Sequence, residues 1–189
     1  MILNGGVSLK KATALDVLST GIVCYVFWLL VTGQLVGICK GEPNIQVIII
    51  GLVVSVGVAL FSARFFIHES PFYLFNPVRL FTLLFYSLVI FMIELTKANV
   101  DVAKRALSPK LPVNPGFVKV PSDMKSEYGR AMLANSITLT PGTITMDVTE
   151  EDGQTYYSIH WIDVASEDPK EAGDAIKGTL ESWVRRIWK

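Results

Sequence analysis

Charge is what this 189-residue chain has little of: Asp, Glu, Lys and Arg make up 18% of it, against 51% hydrophobic residues. A soluble domain carries nearer a quarter charged residues, so the apolar surplus calls for lipid as well as a protein core. Cysteine is scarce too, with only Cys24 and Cys39. Both fall in one apolar run that reads as a helix, where fifteen residues at 1.5 Å rise set them about 22 Å apart. A disulfide needs Cα atoms within about 7 Å, and two cysteines alone complete neither a zinc nor an iron–sulfur site. They read as inert lipid-facing or packing residues. Also missing are a P-loop, a G-x-G-x-x-G fingerprint, an H-E-x-x-H motif and any internal repeat. Aromatics, by contrast, are plentiful, and four Trp, ten Phe and six Tyr exclude a disordered chain.

The formal net charge of zero conceals two unlike halves. Residues 1–110 carry nine basic and five acidic side chains, whereas 111–189 carry eight basic and twelve acidic ones. A basic, apolar first half and an acidic, polar second half describe a membrane anchor followed by a water-exposed domain. Without a basic surplus in the second half, nucleic acid is excluded as a partner.

Three apolar runs fit the ~30 Å hydrocarbon core. The first extends from Val17 to Cys39 without a charge, and the second from Ile45 to Ala63, ended by Arg64. Lys10 and Lys11 precede the first run, but its length and its Gly37-Ile38-Cys39-Lys40 end make it a retained anchor rather than a cleaved secretory signal. Gly51, Ser55 and Ala59 recur every four residues on the second, a small face that another helix backbone can approach. After an aromatic segment broken by Pro71 and Pro77, suited to the membrane interface, a third run from Leu80 to Ile93 continues in helical spacing through Leu95, Ala98, Val102 and Ala106. The expected spans are 17–39, 45–63 and 78–100, within a membrane region 1–110. Basic residues split four (10, 11, 64, 79) against five (40, 97, 104, 105, 110), and four of the five crowd the last exit. The split itself leaves the positive-inside rule nearly neutral, and the cluster immediately after the last span is what favours a cytoplasmic tail.

Residues 111–189 predict a small α+β domain in the order β-α-β-β-α. Leu111–Gly116 is a stiff linker, and Phe117–Val120 a short strand closed by Pro121. Ser126 caps a helix through Ile137, and Pro141-Gly142 occupies the central positions of a type II turn. Ile144, Met146 and Val148 alternate with polar residues. After the loop Glu150–Gly153, Tyr157, Ile159 and Trp161 share a face, which predicts a hairpin with one buried side. Asp168 and Pro169 open a last helix with an apolar stripe at Ala172, Ile176, Leu180, Val184 and Ile187. That stripe either docks at a partner or closes its own sheet, with Trp183, Trp188, Arg185, Arg186 and Lys189 suited to lipid headgroups.

Candidates for chemistry are few. His160 and Asp163 are three apart in a strand, so their side chains leave opposite faces and make no pair. Glu94 ends the third apolar run: it is a proton-relay or ion-path group if it faces protein, or an interfacial anchor beside Lys97 if it sits at the headgroups. No residue reads as catalytic, metal-ligating or cofactor-binding.

The runs Glu94-Leu95-Thr96-Lys97-Ala98-Asn99-Val100-Asp101-Val102-Ala103, Pro115-Gly116-Phe117-Val118-Lys119-Val120-Pro121 and Ala134-Asn135-Ser136-Ile137-Thr138-Leu139-Thr140-Pro141-Gly142-Thr143-Ile144-Thr145 resemble the E-type component of the multisubunit Mrp (Mnh) sodium/proton antiporters. The resemblance implies a non-catalytic integral subunit of a cation/proton antiporter assembly in the cell membrane, with other membrane subunits as partners. It equally implies the homologous subunit of a membrane-bound hydrogenase or related respiratory complex. Within the motif, Asn135, Thr138, Thr140, Pro141, Gly142 and Thr143 are explicable as scaffold, because Pro-Gly reverses the chain and Thr hydroxyls satisfy the backbone around it. A free-standing membrane-tethered enzyme or binding domain is the rival reading, and it would need a convergent polar pocket.

Overall fold

The computed structural model describes residues 13–66, 72, 73 and 76–188. Expectations for Lys10, Lys11, most of the aromatic 65–77 segment and Lys189 lie outside the described residues. Three helices, Ala14–Val31, Ile45–Ala63 and Pro77–Leu107, are long and apolar enough to cross a membrane, and a small α+β fold follows them. The chain divides into two compact units, Met1–Phe75 and Asn76–Lys189. The third long helix therefore shares a unit with the sheet, although the sequence pattern changes character at 110/111.

In the first unit, Thr13 opens α1 (Ala14–Val31) with a capping box: its hydroxyl accepts from the Asp16 amide while Asp16 accepts from the Thr13 amide at 2.8 Å. The run expected as one helix over 17–39 is interrupted. The Thr32 hydroxyl donates to the Trp28 carbonyl at 2.7 Å, Gly33 turns left-handed, and α2 (Gln34–Lys40) resumes. Back-bonding of this kind diverts a carbonyl and bends a helix. Cys24 and Cys39 thus occupy α1 and α2, and both are free thiols. Asn44 caps α3 (Ile45–Phe66) by accepting from the Gln46 and Val47 amides. α1 and α3 pack on each other as a hairpin.

The second unit opens with Asn76, whose side chain accepts from the Val78 amide at 3.0 Å, and with Pro77 in the first turn of α4 (Pro77–Leu107). α4 contains one π-helical stretch, Tyr86–Ile90, a widening often found where a helix must re-aim its side chains. β1 (Gly116–Ser122), α5 (Glu127–Leu139), β2 (Thr143–Glu151), β3 (Gln154–Trp161) and α6 (Pro169–Ile187) follow in the expected order. The antiparallel sheet runs β1-β3-β2. β1 continues past Pro121 because it is an edge strand, where a missing N–H is tolerated. Asp152 and Gly153, both at positive φ, form the two-residue turn between β2 and β3, tighter than the four-residue loop expected.

The core lies between one face of the sheet and α5 and α6. Val118, Val120, Tyr157 and Ile159 from the sheet meet Leu133 and Ile137 from α5, and Leu180, Val184 and Ile187 from α6. The α6 stripe therefore closes its own domain. Trp188 packs inside the domain too, against Tyr128 at 5.1 Å with its indole N–H on the Met132 sulfur. Trp183 faces α4, its ring 5.5 Å from that of Phe85.

β2 corrects the sequence pattern. Its alternating apolar residues are not a buried row: Ile144, Met146 and Val148 are 50%, 62% and 37% exposed. Directly opposed residues share a face, and Thr145 pairs with inward Ile159 while Ile144 pairs with outward His160. The threonines take the inner positions because their hydroxyls satisfy the end of α5, and a bulge at Met146 returns Val148 to the Tyr157 side.

Candidate functional site

The threonine-rich segment closes α5 without a glycine cap. The Thr140 and Thr143 hydroxyls both donate to the Ile137 carbonyl at 2.7 Å, and Thr138 and Thr145 donate to that of Ala134 at 2.9 and 3.2 Å. Two of these hydroxyls thus serve Ile137, whose carbonyl the helix end leaves unpaired, and the two on Ala134 add bonds to a carbonyl one turn further in. Thr138 also accepts from the Thr145 amide at 3.1 Å, tying α5 to β2. Asn135 is exposed on α5. Pro141 and Gly142 make the reversal, with Gly142 at φ +97°, a conformation that favours glycine. A Cβ there would lie 3.0 Å from Ile162 Cγ2 and 3.5 Å from Val102 Cγ2 of α4. The turn is therefore a seat for α4 as well as a corner.

Two polar pins fix α4 to the domain along this seam. Near its start, the buried Tyr86 hydroxyl donates to Ser136 at 2.7 Å, and Ser136 donates on to the Met132 carbonyl. Near its end, Arg105 donates to Asp101, to the Pro112 carbonyl at 2.9 Å and to Asp163 at 2.5 Å. Asp163, which sequence spacing separates from His160, is thus half of an ion pair spanning 58 positions. His160 stands on the outer face, edge-on to Phe117 at 5.2 Å.

Glu94 and Lys97 form an ion pair at 2.9 Å, with Glu94 the less exposed partner at 24% against 66%. They line a cleft of about 350 Å³ with Asp101 and Arg105 of α4, the Pro141-Gly142 turn, and Asp174 and Lys177 of α6. Glu94, expected as an ion-path group or as an interfacial anchor beside Lys97, thus keeps Lys97 as its partner and borders a polar cleft of its own domain. Among the described residues no group of three or more His, Cys, Asp or Glu is placed to hold a metal ion.

At the cleft wall Lys177 is largely buried and donates to Glu181, which also accepts from the Ser122 hydroxyl and, at 3.1 Å, from the Asp123 amide. Burial pushes the Glu181 carboxyl up, yet the bonds from Lys177, Ser122 and Asp123 outweigh it and hold the group below its ordinary range. Burial raises Tyr157 well above an ordinary tyrosine. Lys177 and Glu181 were readable as an i, i+4 pair, but nothing local marked them as buried. The Tyr86–Ser136 and Arg105–Asp163 contacts had no sequence signal, because each joins residues 50 or more positions apart.

In the first unit, Gly51, Ser55 and Ala59 all lie buried on the side of α3 that faces α1. At Gly51 the Trp28 ring lies so close that a Cβ would fall 2.2 Å from Trp28 Cδ1, while the indole N–H donates to the Val47 carbonyl at 3.1 Å. Further along the hairpin, Gly21 of α1 faces Ala59, whose Cβ is 3.6 Å from where a Gly21 Cβ would stand.

Helices apolar and long enough to cross a membrane, followed by a small α+β domain that bonds to the last of them through Tyr86–Ser136 and Arg105–Asp163, define an integral membrane protein. The chain belongs to the MNHE family, Na+/H+ ion antiporter subunit, whose model matches residues 21–187. Membership makes it a component of a transporter rather than a catalytic enzyme. It is 32% identical over 148 residues to the Na(+)/H(+) antiporter E1 subunit of Staphylococcus haemolyticus (strain JCSC1435), covering 78% of this chain and 87% of that protein. The E1 protein of Staphylococcus saprophyticus subsp. saprophyticus is 30% identical over 166 residues, 88% of this chain and 92% of that one. Among solved structures, a chain of the membrane-bound sulfane sulfur reductase, an archaeal respiratory membrane complex, superposes with a TM-score of 0.73 at 37% identity. The match covers 91% of this chain and 98% of that chain.

Proposed function

We propose that this chain is an accessory membrane subunit of a multisubunit sodium/proton antiporter, supporting assembly and ion translocation by the larger subunits around it. The family match across 21–187 carries this reading. A second reading, the homologous subunit of a respiratory complex with an antiporter module, is favoured by the likeness to a chain of the sulfane sulfur reductase complex. In both, the partners are other membrane subunits and the bilayer. The α+β domain faces the cytoplasm, in keeping with the basic residues Lys97, Lys104, Arg105 and Lys110 beside it. Asn135, Thr138, Thr140, Pro141, Gly142 and Thr143 act as scaffold, Gly51, Ser55 and Ala59 as a helix-packing face, and Glu94 with Lys97 as an interface pair rather than a proton relay. Purification of the tagged chain from native membranes tests the assignment. Co-purification of large polytopic antiporter subunits is expected; recovery of the chain alone would overturn it, and redox subunits in the same preparation would select the second reading.

A further inference from the structure

α4 meets its domain along one row of side chains. Tyr86 bonds to Ser136, Phe91 packs against the core, Glu94 and Ala98 line the cleft, Val102 lies at the Gly142 turn, and Arg105 bonds to Asp163. An unbroken α-helix cannot make this row. Tyr86 and Arg105 are nineteen positions apart, whereas five turns of 3.6 residues hold about eighteen. At about 100° per residue, a straight α-helix with Tyr86 toward the domain would turn Glu94, Ala98 and Arg105 roughly 80–120° away from it. All three would leave the domain. The π stretch Tyr86–Ile90 lies between the two pins, and there the Phe91 amide donates to the Tyr86 carbonyl, five positions back rather than four. Such a turn takes in one residue more than an α turn. With one residue removed from the count, Glu94, Ala98 and Arg105 return to within about 20° of Tyr86. The surplus sits on the side away from the domain, where Ser87, Leu88 and Val89 are all exposed. Neither proline nor glycine occurs in Tyr86-Ser87-Leu88-Val89-Ile90 to force the widening locally.

We propose that the π turn of α4 is a register joint, absorbing one surplus residue so that Tyr86 and Arg105, at opposite ends of the seam, engage the α+β domain at the same time. The joint also sets which way the first turns of α4 face. With the domain held at Arg105, relaxation of the turn to α geometry would rotate residues 77–85 by about 100° and break the Tyr86–Ser136 bond. Val78 and Phe81, exposed on that segment, would then point elsewhere relative to the sheet. The facing of the segment is thus coupled to one buried hydrogen bond, whichever complex holds the subunit.

Single-residue deletions in the detergent-solubilised full chain test the joint. Deletion of Leu88 leaves eighteen positions between Tyr86 and Arg105, five α turns, so the row survives without the π turn. Deletion of Val100, exposed on the α-helical part, shortens the same interval but rotates either the Glu94–Ala98 stretch or the Tyr86 segment off the domain. The thermal transition of the domain is expected to stay within a few degrees of the parent in the first variant and to fall by about ten degrees or more in the second. A second readout follows the facing itself. Spin labels at Phe81→Cys and Ser158→Cys, with Cys24→Ala and Cys39→Ala, report the distance from the first turns of α4 to the sheet. A rotation of 100° carries a side chain about 8 Å around the helix, and deletion of Leu88 is expected to leave the distance distribution where it was. A displaced distribution in that variant, or equal transitions for the two deletions, would overturn the proposal.

Discussion

α1 and α3 approach each other where side chains are smallest, at Gly51 under Trp28 and at Gly21 against Ala59. In the second unit α4 is held to its domain where polar groups converge, at Tyr86–Ser136 and at Arg105 with Asp101, Asp163 and Pro112. The difference follows from solvent. Lipid tails are as apolar as Leu, so helices embedded in them gain little by burying Leu against Leu and associate by close van der Waals fit. A domain facing water gains from apolar burial, and its buried hydroxyls and charges must then find partners. Shape therefore carries the first unit, and hydrogen-bond satisfaction carries the second.

The sharpest way to break that comparison is to add volume in the first unit. Gly51→Leu places atoms where the Trp28 ring already stands, and overpacking of this kind costs about 1–3 kcal/mol or more. Loss of the assembled complex on native gels is expected, with partial recovery in Gly51→Leu/Trp28→Ala; an unaltered complex in the single variant would show that the contact tolerates bulk.

The matching test in the second unit removes a charge. Lys177→Met leaves Glu181 among buried groups without its cation, a loss of about 3 kcal/mol by the usual cost of orphaning a buried partner. Differential scanning of the detergent-solubilised full chain should show the transition of the domain falling by ten degrees or so, and no change would mean that water already screens the pair.

The same network sets a pH window. Glu181 stays ionised to lower pH folded than unfolded, so its contribution is complete above the ordinary Glu value of ~4.3 and is lost as pH falls through the lowered folded value. Tyr157 acts in the opposite direction: its raised value favours the neutral phenol, a contribution complete below pH ~10 and lost above it. Thermal transitions measured from about pH 3 to about pH 11 should therefore fall at both ends of the range, and Glu181→Gln should flatten the acid side.

Smaller effects sharpen the seam between α4 and the motif. Gly142→Ala combines a left-handed backbone with a Cβ 3.0 Å from Ile162, a cost of about 1–2 kcal/mol visible in the same melts. Glu94→Gln, which leaves Lys97 at the cleft with a neutral neighbour, is expected to lower ion translocation by less than half. Complete loss of transport in a normally assembled complex would make Glu94 a relay group instead.

Much of this was legible along the chain. Uncharged runs marked the membrane helices because lipid accepts few charges, and the Pro141-Gly142 reversal and the Asp168-Pro169 start are chemistry of adjacent residues. The outward turn of Ile144 and Met146 was not legible, since strand alternation is blind to which face is covered and Thr143 and Thr145 gained the inner face through hydroxyl bonds to α5. Nor did the spacing of Gly51, Ser55 and Ala59 reveal its counterpart, because small residues at helical spacing specify closeness without naming a neighbour.

By itself, then, the sequence determined that this protein lives in a membrane, that an α+β fold follows its apolar helices, and, through the Asn135–Thr143 run, the family to which it belongs. Periodicity, caps and charge-free length act over a few residues and survive in a linear reading. Tertiary structure alone decided that α4 shares a unit with the sheet, that Arg105 meets Asp163 and Tyr86 meets Ser136, and that Glu94 faces a cleft with α6. Those outcomes join residues 50 to 80 positions apart, and only the simultaneous burial of apolar faces brings their polar groups within bonding distance.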